Sequence, residues 1–129
     1  MNKPLALIIE DDKDLARIFS EALLQAAFET EIIRDGQAAL ERLAEVTPEV
    51  VVLDLHLPRV SGEKILRHIR ADERLAETRV MIATADSQMA QNLRDDADVV
   101  LLKPVSFEQL YFLAGRLRPS GLPPMKKMA

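Results

Sequence analysis

Three acidic residues, one threonine and one lysine in this chain each follow a short apolar run. Carboxylates that share a site raise one another's pKa unless a cation joins them, and oxygen ligands favour Mg²⁺ or Mn²⁺ over zinc. A lysine ammonium and a threonine hydroxyl are both suited to holding phosphoryl oxygens. The set therefore predicts metal-assisted phosphate chemistry. Its members are Glu10, Asp11, Asp54, Thr84 and Lys103.

Asp54 is the predicted nucleophile among the three carboxylates. Glu10 and Asp11 are adjacent in sequence, whereas Asp54 stands alone at the start of its loop. Aspartate is known to form aspartyl-phosphate intermediates, and positioning and charge neutralisation supply most of the catalysis in phosphoryl transfer. We therefore expect a phosphoryl group to be transferred to Asp54.

The apolar runs before these residues have the pattern of buried parallel strands. Runs without polar alternation are typical of strands covered on both faces by helices. Strand and helix patterns alternate five times, which implies right-handed crossovers and a doubly wound α/β sheet. Ligands bind beyond the carboxyl ends of such strands, so the five polar residues should meet there. The predicted strands are residues 5–9, 28–33, 50–53, 80–83 and 99–102.

Local signals predict where three of the helices begin. Asp12 can cap the first helix, and Asp35 with Gly36 opens the second. Ser106 and Gln109 have the spacing of a capping box at the start of the last helix.

Other helical signals are weaker. The third helix fades near Leu75, and residues 86–95 have few apolar anchors. The three- and four-residue spacing places Ile18 of the first helix and Ala44 of the second among the inward-facing residues.

Composition limits the class of protein. The chain has 129 residues, 48% of them hydrophobic, a net charge of −4 and no cysteine. The charge argues against direct nucleic-acid binding, and no apolar stretch approaches the length of a membrane span. The absence of cysteine fits a cytoplasmic protein. We expect one domain over residues 1–118 and a tail or linker over 119–129, where three prolines and a glycine occur.

Four motifs occur in order at the predicted strand ends. They are Ile9–Asp12, residues 52–58 with Ser61 and Gly62, Ala83–Ala85, and Leu102–Pro104. Together they resemble the receiver domain of bacterial two-component response regulators, over residues 4 to about 118. The resemblance implies a three-layer, flavodoxin-like (βα)5 fold with the strand order 2-1-3-4-5. It also implies a signalling protein and not an enzyme, one that catalyses only its own Mg²⁺-dependent phosphorylation and dephosphorylation.

The resemblance also implies a role for each motif. Asp54 resembles the phosphoryl acceptor, and Asp11 the carboxylate that contacts Mg²⁺ directly, with Glu10 acting largely through water. The backbone carbonyl of His56 would be a further metal ligand. Thr84 resembles the switch hydroxyl. Lys103 resembles the lysine that pairs with the phosphoryl group, and the bond from it to Pro104 is often cis in the family.

Two features of the sequence depart from the family pattern, one a residue type and the other the length of a segment. Receivers commonly have Tyr or Phe three residues before the lysine, where this chain has Val100. Lys103 follows Thr84 by 19 residues, a few fewer than usual, so the fourth helix should be short. His56 and Asp86 occupy positions that flank the phosphoryl group in the family. We expect them to modulate the phosphorylated lifetime.

The implied phosphodonor is a phosphohistidine on a sensor histidine kinase or a phosphotransfer protein, and the implied target is an effector protein in trans. The chain would be a monomer or a phosphorylation-dependent dimer. An alternative is a receiver-fold interaction module that acts without phosphate. A phosphatase with an aspartate nucleophile is a third possibility, although such enzymes have a second Asp where this chain has His56. Flavin or dinucleotide binding is disfavoured because no glycine-rich loop follows the first strand.

Overall fold

The computed structural model describes residues 3–118, which form five strands and five α-helices in strict alternation. The expected tail over residues 119–129 lies outside the described residues. The strands are β1 (Leu5–Ile9), β2 (Glu29–Ile33), β3 (Val50–Leu53), β4 (Arg79–Thr84) and β5 (Val99–Leu102). The helices are α1 (Lys13–Gln25), α2 (Gly36–Leu43), α3 (Gly62–Ala71), α4 (Ser87–Asn92) and α5 (Phe107–Arg116).

The strands form one parallel sheet in the order β2-β1-β3-β4-β5, which confirms the predicted fold class and strand order. Successive side chains of a strand point to opposite faces of the sheet. Ile8 therefore packs in the core beneath α1 and α5, while Ile9 packs beneath α2 and α3. Because both faces are covered, every residue of β3 is buried, and its sequence is an unbroken apolar run.

The predicted helix starts are confirmed. The side chains of Asp12, Asp35 and Ser106 each accept a hydrogen bond from a backbone N–H in the first turn of α1, α2 and α5. Both reciprocal bonds of the capping box between Ser106 and Gln109 are present. Each cap satisfies a helix donor that would otherwise lack a partner.

Several predicted details were wrong. Ile18 is 42% exposed, because the buried stripe of α1 is narrower than its apolar spacing indicates. Ala44 is exposed because α2 ends at Leu43 and the chain turns away from the core. α3 ends at Ala71, before Leu75, which belongs to a separate 3₁₀ turn.

The fourth helix is short, as the spacing before Lys103 indicated. α4 has six residues and is followed by a 3₁₀ turn at Arg94–Asp96. Ala90 is its one buried residue. Within residues 3–118, the structure contains no helix that is long and apolar enough to cross a membrane.

Candidate functional site

Glu10 and Asp11 lie where β1 ends, at the carboxyl edge of the sheet. Glu10 is 1% exposed, and its Oε2 accepts a hydrogen bond of 3.2 Å from the backbone N–H of Asp12. Asp11 is exposed. Asp12 has the capping role expected of it, with Oδ1 accepting from the Leu15 N–H at 3.0 Å. The first turn of α1 thus fixes the loop that holds the two acidic residues.

Asp54 lies at the end of β3 and is 5% exposed. Its backbone N–H donates to the Ile9 carbonyl at 2.9 Å, so the strand pairing places it beside Glu10. The backbone N–H of His56 donates to Asp54 Oδ1 at 3.3 Å. The side chain is therefore positioned by the sheet and by its own loop.

Gly62, the first residue of α3, packs directly against the backbone of Asp54. A Cβ at this position would lie 2.2 Å from the Asp54 carbonyl oxygen and 2.6 Å from the Cα of Leu55. Because both neighbours are backbone atoms, no side-chain movement could make room. The sequence motif included Gly62 but indicated no role for it, and the structure shows that it allows α3 to begin against the site.

Lys103 connects the two buried carboxylates from the opposite side of the crevice. Its Nζ lies 2.9 Å from Glu10 Oε1 and 3.5 Å from Asp54 Oδ1. Its backbone N–H donates to the Thr84 carbonyl at 2.8 Å, so β4 and β5 hold the two residues side by side. The peptide bond to Pro104 is cis, as the resemblance implied.

Thr84 is fully buried, and its Oγ1 accepts a hydrogen bond of 3.1 Å from the backbone N–H of Asp86. The structure therefore gathers the five residues predicted from the strand ends at a single edge of the sheet.

The carboxylates of Glu10, Asp11 and Asp54 form a cluster that fits a divalent cation. One oxygen from each lies within 4.8 Å of the others. Among the described residues, Lys103 is the one cation paired with these carboxylates, and it contacts Glu10 and Asp54 but not Asp11. An all-oxygen donor set with excess negative charge suits Mg²⁺ or Mn²⁺.

The buried groups of the site have shifted pKa values. Burial raises the pKa of Glu10, and the nearby Asp54 raises it further, while the hydrogen bond from Lys103 opposes this shift. For Lys103, burial alone would lower the pKa, but the hydrogen bond and charge of Glu10 and the charge of Asp54 raise it overall. Lys103 thus stays positively charged at neutral pH.

His56 and Asp86 stand on opposite sides of the crevice mouth. His56 Nε2 lies 3.4 Å from Asp86 Oδ2, and their side chains are 61% and 37% exposed. Asp86 is also the N-cap of α4, since its Oδ1 accepts from the Met89 N–H at 3.0 Å. This capping role was not predicted, although an Asp at the start of a weak helical pattern is the usual signal for it.

Val100 lies in β5 opposite Ile82 and is half-buried. It lines a groove of about 420 Å³ between α4 and β5, together with Ala90 and the exposed Leu102. Val100, where this chain departs from the family pattern, therefore lies in the groove beside the short α4.

Arg34 is a further residue at this edge that the sequence reasoning missed. It directly follows β2, and its Nη2 donates to the Asp11 carbonyl at 3.1 Å. Arg34 is the first residue after the predicted strand 28–33, and this position is the sequence signal for its place at the edge.

The doubly wound sheet, the acidic crevice at its carboxyl edge and the ammonium of Lys103 beside it are the arrangement that the motifs led us to expect of a receiver domain. Comparison with known proteins gives the same answer. The family model described as the response regulator receiver domain matches residues 6–113. The chain belongs to this family, whose members are signalling modules of two-component systems.

Individual relatives agree with this assignment. The transcriptional regulatory protein TrcR of Mycobacterium tuberculosis is 35% identical over 118 residues, which cover 89% of this chain and 46% of TrcR. The regulatory protein AtoC of Escherichia coli is 31% identical, covering 85% of this chain and 24% of AtoC. The chain thus spans less than half the length of these curated relatives.

Solved structures also resemble it. A signal receiver domain from Vibrio parahaemolyticus superposes with a TM-score of 0.82 at 27% identity, covering 92% of each chain. The BeF3-activated receiver domain of DrrB, a Thermotoga maritima protein, gives a TM-score of 0.78 at 30% identity, covering 91% of this chain and 97% of that one.

Proposed function

We propose that Asp54 accepts a phosphoryl group from a phosphohistidine and that the phosphorylated chain then switches a protein partner in trans. The observation that carries this proposal is the convergence on Asp54 of a lysine ammonium 3.5 Å away and of two further carboxylates within 4.8 Å. The donor would be a sensor histidine kinase or a phosphotransfer protein.

Asp54 has two carboxylate oxygens for two proposed tasks. Lys103 Nζ and the His56 N–H both approach Oδ1. One carboxylate oxygen would bind the metal and the other would attack phosphorus. In the transfer, a bond forms between the attacking oxygen and phosphorus, the phosphorus–nitrogen bond of the donor breaks, and the released imidazole takes a proton from solvent.

Each neighbouring group has a proposed part in this transfer. Glu10, Asp11, Asp54 and the backbone carbonyl of His56 would hold Mg²⁺ or Mn²⁺, with Asp11 in direct contact and Glu10 acting largely through water. A bound Mg²⁺ supplies positive charge that stabilises the phosphoryl oxygens.

Lys103 and Thr84 would hold the phosphoryl group itself. The raised pKa of Lys103 keeps its ammonium charged. The Thr84 hydroxyl would donate to a phosphoryl oxygen, because a hydroxyl can donate one hydrogen bond while accepting others.

Four further residues are proposed to modulate the site. His56 and Asp86 stand at the mouth of the crevice and would set the phosphorylated lifetime by admitting or excluding water. Pro104 fixes the chain after Lys103. Val100 cannot supply the ring that commonly reports phosphorylation in receivers.

The remaining parts of the proposal concern partners and location. We expect no direct contact with nucleic acid, which the net charge of −4 supports. The chain would be a monomer or form a dimer when phosphorylated, and it would act in the cytoplasm, which the absence of cysteine fits.

Electrophoresis on a phosphate-binding gel tests the proposal. Incubation with acetyl phosphate and Mg²⁺ should produce a retarded band, and neither Asp54→Asn nor a sample treated with a chelator should show it. The matched control is Asp35→Asn, which changes an aspartate that caps α2, outside the crevice. The absence of a retarded band with any small phosphodonor or kinase would contradict the proposal.

A second candidate function is partner binding that does not depend on phosphate. Two observations favour it: Val100 replaces the usual aromatic ring, and α4 has only six residues. Under this alternative, Asp54→Ala would keep full partner affinity and cellular output. Under the first proposal, neither the partner affinity nor the cellular output of Asp54→Ala would respond to the phosphodonor.

A further inference from the structure

Asp86 is in contact with three different elements around the crevice. Its backbone N–H donates to Thr84 Oγ1 at 3.1 Å, and its Oδ1 caps α4 through the Met89 N–H at 3.0 Å. Its Oδ2 lies 3.4 Å from His56 Nε2, on the loop after β3. A single residue thus touches the switch hydroxyl, the next helix and the loop that contains Asp54.

α4 depends strongly on this cap. It has six residues, of which only Ala90 is buried, and Leu93 immediately after it is the second apolar anchor. Isolated helices shorter than about 12 residues are marginal in water, so α4 has little stability apart from its cap and these few contacts. Loss of its cap should therefore destabilise α4 more than loss of the Asp12 or Ser106 cap would destabilise α1 or α5.

The alternative route through β5 has no aromatic ring to follow Thr84 in this chain. Val100 stands in its place and lines the groove of about 420 Å³ between α4 and β5. The direct connection from Thr84 to α4 is the loop that consists of Ala85 and Asp86.

We propose that Asp86 transmits the state of Thr84 to α4 and so replaces the missing aromatic ring. When the Thr84 hydroxyl turns to donate to a phosphoryl oxygen, it keeps accepting from the Asp86 N–H and draws that N–H with it. The residue that caps α4 is thereby displaced, because only Ala85 separates Asp86 from Thr84. This inference rests on the proposed function, since it needs a phosphoryl group at Asp54.

His56 restrains Asp86 in the absence of the phosphoryl group. Its backbone N–H donates to Asp54 Oδ1, and its ring reaches Asp86 Oδ2. The loop after β3 and the start of α4 are thus joined across the mouth of the crevice. Displacement of Asp86 would break this contact and open the mouth on the side of α4.

Amide NMR spectra of the full chain, with and without beryllofluoride and Mg²⁺, test the proposal. The Gly62 amide, which donates to the Leu55 carbonyl beside Asp54, reports ligand binding. The amides of Met89 and Ala90 report α4. We expect both sets of signals to shift in the wild-type chain.

Three variants isolate the contribution of Asp86. In Asp86→Ala the Gly62 shift should remain, while the ligand-induced shifts of α4 are lost. Asp86→Asn keeps a cap oxygen and the backbone N–H, so it should keep the α4 response. Asp35→Ala removes the corresponding cap of α2, where Oδ1 accepts from the Ala38 N–H at 2.8 Å, and should leave the α4 response unchanged.

The outcomes separate this inference from the proposed function. A normal α4 response in Asp86→Ala, or a lost response in Asp86→Asn, would overturn the role of Asp86 while leaving phosphorylation intact. The absence of any shift at Gly62 in the wild-type chain would overturn the proposed function and the inference together.

Discussion

Two glutamates of this chain each pair with a cation at short distance, yet their environments act on them in opposite ways. Glu10 lies 2.9 Å from Lys103 in the crevice and is 1% exposed, whereas Glu31 lies 2.7 Å from Arg42 at the β2 edge with a side chain that is 35% exposed. Burial raises the pKa of Glu10, while the hydrogen bond from Arg42 lowers the pKa of Glu31.

The difference shows what a binding site requires that a surface pair does not. At the β2 edge, water solvates both charges, and the cation stabilises the anion without competition. In the crevice, desolvation and the neighbouring Asp54 together outweigh the single lysine. The excess negative charge is unfavourable without a further cation, and it is also what attracts a divalent metal ion.

The largest expected effect is that of Lys103→Met on stability. Removing the cation leaves Glu10 and Asp54 buried together, and breaking such a pair from one side costs about 3 kcal/mol. Urea unfolding at neutral pH measures the loss, with Lys64→Met on the exposed surface of α3 as the control. An unfolding free energy equal to that of the control would show that Lys103 does not stabilise the crevice.

Glu10→Gln should weaken Mg²⁺ binding while making the metal-free chain more stable. The change removes a buried charge but also removes a group proposed to orient the metal through water, for which losses of about 10-fold in affinity are usual. Titration calorimetry measures the affinity, and Glu31→Gln is the matched control. Equal Mg²⁺ affinities in the two variants would contradict a role for Glu10 in metal binding.

The two glutamates should also give opposite pH dependences of stability. Because the pKa of Glu10 is raised in the folded chain, its protonation favours folding. The wild-type chain should therefore gain stability relative to Glu10→Gln as the pH falls from neutrality toward 4.5, the ordinary pKa of glutamate.

Glu31 has a lowered pKa in the folded chain, so its contribution is present above pH 4.5 and is lost as the pH falls below that value. Both dependences are tested by measuring the unfolding free energies of the wild-type chain, Glu10→Gln and Glu31→Gln from neutral pH to below pH 4.5. The comparison would be contradicted if the contributions of Glu10 and Glu31 to stability changed in the same direction as the pH falls.

Arg42→Met should have the smallest effect. Arg42 is shared between Glu31 and Glu45, at 2.7 and 3.0 Å, but exposed pairs contribute little and are screened by salt. We expect a loss well below that of Lys103→Met, and smaller still when unfolding is repeated at high salt. A loss as large as that of Lys103→Met would mean that burial does not determine how much each ion pair contributes to stability.

The sequence predicted the edge at which the site lies but not the contacts within it. Strands buried on both faces leave unbroken apolar runs, so the residues that follow these runs could be assigned to one edge from the sequence alone. The pairing of Lys103 with Glu10, rather than with Asp54 alone, depends on side-chain directions across three strands, and no local pattern encodes it.

The errors also have physical reasons. Helical spacing indicates which side of α1 faces inward but not how wide the covered stripe is, so Ile18 was placed in the core. Asp86 was interpreted only as a residue beside the phosphoryl group, because its neighbours in α4 are too polar to give a clear helical pattern. Arg34 was missed because β2 is an edge strand with exposed residues and lacks an unbroken apolar run.

The identity of the phosphorylated residue is the most direct test of this account. After incubation with acetyl phosphate and Mg²⁺, borohydride reduction converts an aspartyl phosphate to homoserine, which peptide mass spectrometry can locate. Homoserine is expected at position 54 and at no other aspartate, with none when Mg²⁺ is removed. Homoserine at Asp11, or no conversion at position 54 with any competent donor, would contradict it.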